Sequence, residues 1–373
     1  MIRPTHPLGA LLALALAGPA AAATQDILPF DDSPLEIAPV EYEEPAPIEY
    51  APRDTPPELT LYFPGSDKVA AEGDVENGRR AGLWTFYGVH GGVIARGRLQ
   101  DYQREGEWTI YGREGTRTEQ GAYRAGDKTG LWFTWDNAGR RMSAGEYVDD
   151  LQHGPWTYWR AEGRLAAFGA FFEDDREGPW VFYHGNGNVQ RKGTYRAGAE
   201  IGEWIEYHPN GQIFQQGAYR GGLRRGEWLA FHPNGQKQSQ GEFLTGQQSG
   251  LWTKWYENGE KEFEGPWVDG KEHGEWKRWW RSGALLAEGS YDAGRMHGTW
   301  VTWHAGGQKE SESAYRFGQL NGRQRTWHAN GQLASDGLFV LGKREGDWAF
   351  YNPDGTPDDR QTGFYRNDKK ATE

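Results

Sequence analysis

The sequence predicts an all-β fold: an elongated, single-layer antiparallel β-meander of about twelve 24-residue β-hairpin repeats. Three observations predict it. Tryptophan recurs at Trp84, Trp108, Trp132, Trp156, Trp180, Trp204, Trp228, Trp252, Trp276, Trp300 and Trp348, always a multiple of 24 residues apart, with Gln324 in the one vacant position. Around each of these positions, other residue types keep fixed offsets. A glycine stands two residues before, an aromatic three after and another glycine seven after, in every unit. Turn dipeptides complete the unit, with Asn186-Gly187, Asn210-Gly211, Asn234-Gly235, Asn258-Gly259 and Asn330-Gly331 at one end and glycine-led pairs such as Gly126-Asp127 and Gly270-Lys271 at the other. Glycine or a turn every few residues excludes helix. A fixed short period is the signature of a repeat array.

Composition agrees with this. The chain has 373 residues, with 54 Gly, 19 Trp and 18 Tyr, but only 36 % apolar residues. Aliphatic residues are too few for an ordinary core, so aromatic rings paired with glycines must supply the burial. Cysteine is absent, which rules out disulfides and thiolate chemistry and leaves the redox compartment open.

Taken in order, residues 1–23 read as a secretory signal peptide. Arg3 precedes an apolar run at 8–18, and small residues end at Ala23, near which cleavage is expected. The apolar run is too short to span a membrane as a helix. A periplasmic or secreted location follows. Residues 24–58 hold ten acids against Arg53 alone, with eight prolines, and read as an acidic, Pro-rich disordered tether. Residues 59–81 resemble a degenerate capping repeat, with Gly73 in register. The array proper runs over 82–366, and 367–373 form a polar tail. Of the net charge of −12, the tether holds −9 and the signal +1, leaving −4 on residues 59–373. A near-neutral array does not support a basic nucleic-acid footprint.

The turns set a register. With Asn210-Gly211 at a two-residue turn centre, both at positive φ, Trp204 faces Gly217 and Gly202 faces Tyr219. With Gly222-Leu223 centring the next turn, Tyr219 faces Gly226 and Gly217 faces Trp228. Each large ring is then flanked by glycines on neighbouring strands, notably Gly97, Gly121, Gly145, Gly169, Gly193, Gly217, Gly241, Gly265 and Gly289. A backbone without Cβ leaves room for an indole. The aromatic three residues after the tryptophan is an odd number of steps away and belongs to the opposite face. That column makes Tyr87, Tyr111, Trp135, Trp159, Tyr183, Tyr207, Trp255, Trp279, Trp303 and Trp327 the candidate binding surface.

No residue set announces catalysis. His184, His208, His232, His304 and His328 share one repeat position, and His153, His273 and His297 another. Equivalent positions lie about 9.6 Å apart along the sheet, too far for comfortable sharing of one zinc. Glu107, Glu203, Glu227, Glu275 and Asp347 form a column before the tryptophans, with no cleft to make them a catalytic pair. Nucleophile-elbow, phosphate-loop and metalloprotease motifs are missing. The expectation is a non-enzyme without catalytic residues, metal or cofactor.

Units such as Gly202 to Gly211 (GEWIEYHPNG) followed by Gly217 to Gly222 (GAYRGG) resemble MORN-variant repeats over about 59–366. The resemblance implies a β-hairpin array serving as a protein scaffold, at times binding lipid headgroups. It also extends to proteins designated antitoxins or immunity proteins, from which the export signal sets this chain apart. The expected partner is another protein of the envelope. Glycan or lipid-headgroup binding, or an antitoxin- or immunity-type role, is the alternative, and edge strands leave self-association open.

Overall fold

In the computed structural model, the structure describes residues 38–50 and 58–371; the expected signal peptide, most of the remaining tether and the last two residues of the tail lie outside them. Among the described residues, twenty-eight strands, from Leu59–Tyr62 to Lys369–Lys370, pair antiparallel in one open sheet in chain order, save that Lys271–Glu272 and Gly274–Trp279 both pair with Lys261–Val268. No helix occurs among the described residues. The expected all-β meander of hairpins is therefore the observed fold. Leu59–Tyr62 and Val69–Glu76 form the N-terminal hairpin, and Gly73 pairs with Trp84 in the repeat register.

Both turns differ in detail from the expectation, and both differences are compensated. At Asn210-Gly211 only the glycine has positive φ (+88°). His208 N–H bonds Gln212 O at 2.8 Å and Gly211 N–H bonds His208 O at 2.9 Å, which makes a type I turn followed by a left-handed glycine. This loop is one residue longer than predicted. A bulge at Phe214 restores the register, so that Trp204 pairs with Gly217 and Gly202 with Tyr219. At the other rim the turn centres one residue earlier than expected, on Gly221-Gly222, Ala125-Gly126 or Asp269-Gly270, with both φ values positive. The next strand then carries two extra residues. Tyr219 consequently pairs with Arg224, not Gly226, while Gly217 still faces Trp228.

That two-residue bulge gives the glycine before each tryptophan its role. Gly226 has φ +69°, and the equivalent glycines lie between +62° and +74° except Gly322, a region that L side chains rarely enter. These glycines bend the strand and do not cushion a ring. The cushion is the other column alone. A Cβ on Gly193 would overlap the indole of Trp204, and one on Gly217 would overlap Trp228. Each indole therefore stacks on the glycine of the preceding strand.

A single layer buries its tryptophans by enclosing each from several sides. The eleven ladder tryptophans are 0–7 % exposed. Tyr or Phe rings stand edge-on between them, as Tyr195 does at 5.0 Å from Trp204 and Tyr219 at 5.1 Å from Trp228. Above the plane lie cations, with Arg224 4.1 Å from the Trp228 ring and Lys128 4.1 Å from Trp132. Burying one such ring is worth on the order of 5 kcal/mol of gross apolar transfer.

Residues 38–50 belong to the stretch expected to be a disordered tether. They are extended and lack regular secondary structure, but they are not solvated throughout. They lie across the face opposite the tryptophan ladder, held by bonds from Arg117, Arg141 and Thr157. Proline and tyrosine side chains supply apolar contact that the acidic count concealed.

Candidate functional site

Alternation along the first strand of each unit separates two faces. Trp132 lies in the ladder, whereas Phe133 and Trp135 stack together at 5.9 Å on the other side. The column of Tyr87, Tyr111, Trp135, Trp159, Tyr183, Tyr207, Trp255, Trp279, Trp303 and Trp327 thus runs along the face opposite the ladder. Nine of the ten are half-buried, and Trp135 is 5 % exposed. Tyr87 donates its hydroxyl to Glu72 at 2.7 Å, and Tyr183 meets Phe168 at 6.2 Å.

Cations nine residues after the ladder position cover this column from the neighbouring unit. The Arg117 guanidinium lies 3.8 Å from the Trp135 centroid and Arg141 4.1 Å from Trp159. Lys237, Lys261 and Lys309 take the same place over Trp255, Trp279 and Trp327, at 5.2, 5.5 and 5.2 Å. The sequence carries this signal as a basic residue nine positions after Trp108, Trp132, Trp228, Trp252 and Trp300.

The 38–50 segment occupies the N-terminal part of this face. Thr157 donates to Val40 O at 3.3 Å, Arg141 to Tyr42 O at 2.7 Å and Arg117 to Pro45 O at 3.0 Å. Gln120 donates to Ala46 O at 3.2 Å, and Tyr50 donates its hydroxyl to Arg96 O at 2.8 Å. The Tyr42 ring meets Phe133 edge-on at 6.3 Å, and its hydroxyl donates to Pro155 O at 2.7 Å. Burial, aided by the charge of Glu146, pushes the Tyr42 phenol up to about 12. Glu44 accepts from Trp135 Nε1 and pairs with Arg117, both at 3.2 Å. The seal over Trp135 accounts for its low exposure. The readable signal for this docking is Pro39, Tyr42, Pro45 and Ile48, apolar at every third position within the acidic run.

The histidines are rim fasteners. His184, His208, His232, His304 and His328 each donate Nε2–H to the carbonyl 23 residues on, at 2.8–2.9 Å. Arg160, Tyr256 and Trp280 do the same from that position. Asparagine Nδ2 groups, from Asn210 to Pro233 O for example, add a second row. Turns on the opposite rim bond backward, as Gly126 N–H does to Arg104 O at 3.0 Å. His153 packs on Phe172 and His273 lies 3.7 Å from Asp292. No three His, Asp or Glu side chains converge on a metal-sized position among the described residues.

Acids likewise stay in columns. Burial raises the carboxyls of Glu107 and Glu203 above the usual carboxylate range. A depression of about 550 Å³ near the C-terminal end includes Asp336 and Asp347. Asp336 already accepts Arg323 at 2.6 Å and Arg325 at 3.4 Å, and those bonds hold it below the usual carboxylate range. What the arrangement offers chemically is a ribbon of half-exposed rings and fixed cations, suited to recognition.

A profile of the MORN repeat variant matches six segments, residues 176–197, 200–220, 224–244, 248–269, 272–293 and 320–340. No curated protein matches the sequence. Among solved structures, TcdB2-TccC3-TEV is similar at 12 % identity over 72 % of this chain and 16 % of that one, with a TM-score of 0.17. The Photorhabdus luminescens Tc holotoxin pore is similar at 10 % identity over 74 % of this chain and 18 % of that one, with a TM-score of 0.16. The chain spans less than a quarter of the length of these structures.

Proposed function

We propose that this chain, which carries MORN-variant repeats over residues 176–340, is a non-enzymatic, exported scaffold that binds another protein of the cell envelope. The binding face is the one carrying the column from Tyr87 to Trp327. One observation supports this reading above the others: residues 38–50 already use the N-terminal part of that face as a peptide-binding surface, through side-chain donors and aromatic contacts. The rest of the column keeps half-exposed tryptophans with cations beside them. Aromatic residues of this kind dominate interface energetics. Glycan stacking draws less support, because the ladder tryptophans are spent on covering glycine.

A photo-crosslinking residue at position 279 of the mature chain, exposed to an envelope extract, tests this. The expected product is a discrete polypeptide adduct absent when the same group is placed at 102, on the rim. Adducts only with polysaccharide, or equal adducts from both positions, would overturn the reading. Fractionation of cells tests the expected periplasmic or secreted location.

A further inference from the structure

We propose that the stretch of this face from Lys237 to Trp327 binds a proline-rich segment of another protein in the polyproline II conformation, one ligand turn per repeat. The inference rests on the protein-binding reading above and names the shape of the ligand.

It begins with two matched lengths. A polyproline II chain advances about 9.3 Å per three-residue turn, and two strands advance the sheet by about 9.6 Å. An extended chain crossing the strands can therefore present every third residue to the same position of successive units. The 38–50 segment does this. Arg141 and Arg117 are one repeat apart, and they donate to the carbonyls of Tyr42 and Pro45, which are three residues apart. Pro39, Tyr42, Pro45 and Ile48 are half-buried while the residues between them are exposed. Three ligand residues to 24 array residues is the register.

The same pairs recur further along, uncovered by any of the described residues. Lys237 with Trp255, Lys261 with Trp279 and Lys309 with Trp327 reproduce the cation-over-ring arrangement of Arg117 with Trp135 and Arg141 with Trp159. At Trp303 the cation is replaced by Leu285, a purely apolar step. Beside Arg141 and Trp159 lies a depression of about 340 Å³ lined in part by Pro39 and Tyr42. Among the described residues, its counterpart at Lys237 and Trp255, about 300 Å³, is lined only by the sheet and its turn residues Gln236 and Gly259.

Chemistry specifies the occupant. Polyproline II carbonyls have no internal partners, so ammonium donors at a fixed pitch can read them, while the rings receive proline or aromatic side chains. Lys261 and Lys309 are already paired with Glu264 and Glu312 at 2.6 and 2.9 Å. This stretch is near charge balance, so backbone shape and pitch select the ligand, and net acidity does not.

The test is fluorescence anisotropy of the mature chain with a labelled (Pro-Pro-Tyr)4 peptide and with (Gly-Ser-Tyr)4, which has the same tyrosines and a flexible backbone. The proline peptide is expected to bind at least tenfold more tightly. Trp279→Ala and, separately, the surface change Lys261→Ala each weaken it fivefold or more, with unchanged thermal unfolding for the lysine variant. Equal binding of the two peptides, no binding of the proline peptide, or indifference to Lys261→Ala overturns the proposal. If the proline peptide fails while position 279 still cross-links a protein, this inference falls and protein binding stands. If position 279 captures nothing either, both fall.

Discussion

The indole N–H of Trp204 donates to the carbonyl of Thr194 at 3.2 Å, ten residues back. Each of the other ten ladder tryptophans makes the same bond, from Trp84 to Asp74 O through Trp348 to Leu338 O. The accepting carbonyl follows the cushioning glycine, where the two-residue bulge makes the strand pairing jump from Lys192–Ile205 to Thr194–Ile201. This explains why the position holds tryptophan: phenylalanine or tyrosine would fill the space but leave that carbonyl without its donor. Trp204→Phe is expected to cost about 1–3 kcal/mol through the lost bond in addition to lost volume, and Trp204→Ala about 3–5 kcal/mol. Hydrogen exchange of amides in Ala199–Tyr207 measures this locally, as repeat arrays open unit by unit. A neutral Trp204→Phe would show that the bond is incidental.

Ser313 and Gln324 are the exception that tests the glycine–indole pairing. Ser313 occupies a cushion position, and the residue above it is Gln324, which donates Nε2–H to Ser313 Oγ at 2.9 Å. Where the glycine acquires a Cβ, the ring is gone. Gln324→Trp alone should destabilise through overpacking against Ser313, by about 1–3 kcal/mol. Adding Ser313→Gly should reverse that loss, giving a favourable coupling of about 0.5–3 kcal/mol in the double-mutant cycle. Additive effects, read from denaturation midpoints of the four chains, would contradict the pairing.

The converse change is Gly193→Ala. A methyl there would overlap the Trp204 indole that stacks on this glycine, so the ring must move off its seat and give up the Thr194 bond. The expected cost is at least that of ordinary overpacking, about 1–3 kcal/mol. Gly226→Ala should also destabilise, by backbone strain at φ +69° instead of by contact. Intrinsic tryptophan fluorescence separates the two, since only the first displaces an indole.

These cases show what was legible in the sequence. The 24-residue period and the odd offset from Trp132 to Trp135 gave the sheet, its repeat and its two faces. The Trp204–Gly217 and Gly217–Trp228 pairs were predicted correctly from turns that were each placed one residue off. Bulges at Phe214 and at Gly226-Glu227 absorb those offsets, and no propensity marks a bulge when glycine serves turns, bulges and ring seats alike. The 38–50 segment was hidden for another reason. Its charge read as solvation, while its three-residue apolar spacing fits neither a helical nor a strand period.

His208 distinguishes fastening from chemistry. Its Nε2–H bond to Phe231 O at 2.9 Å is one of five identical rim bonds. His208→Ala is expected to cost about 0.5–1.5 kcal/mol, confined to the units on either side. Zinc should leave the unfolding midpoint of the parent and variant chains equally unaffected. A zinc-dependent rise in the parent alone would make this histidine a ligand.

Tyr42 gives the docked segment a pH dependence whose sign follows from its environment. Its neutral hydroxyl donates to Pro155 O, and burial beside Phe133, with Glu146 adding charge repulsion, raises the phenol from 10.0 to about 12. The docked state therefore holds the proton more tightly than the released state. This contribution is complete below pH 10, declines as pH rises from 10 towards 12, and is lost above that. Phenolate cannot donate to Pro155 and is poorly solvated against the sheet. Release of residues 38–50 over this interval should uncover Trp135, read as increased iodide quenching that is absent in Trp135→Phe. Tyr42→Phe should remove this component of the pH dependence and leave the segment more weakly held at pH 8, because its bond to Pro155 is lost under all conditions. A Trp135 signal that stays flat to pH 12 would place the phenol outside the set of contacts that hold the segment down.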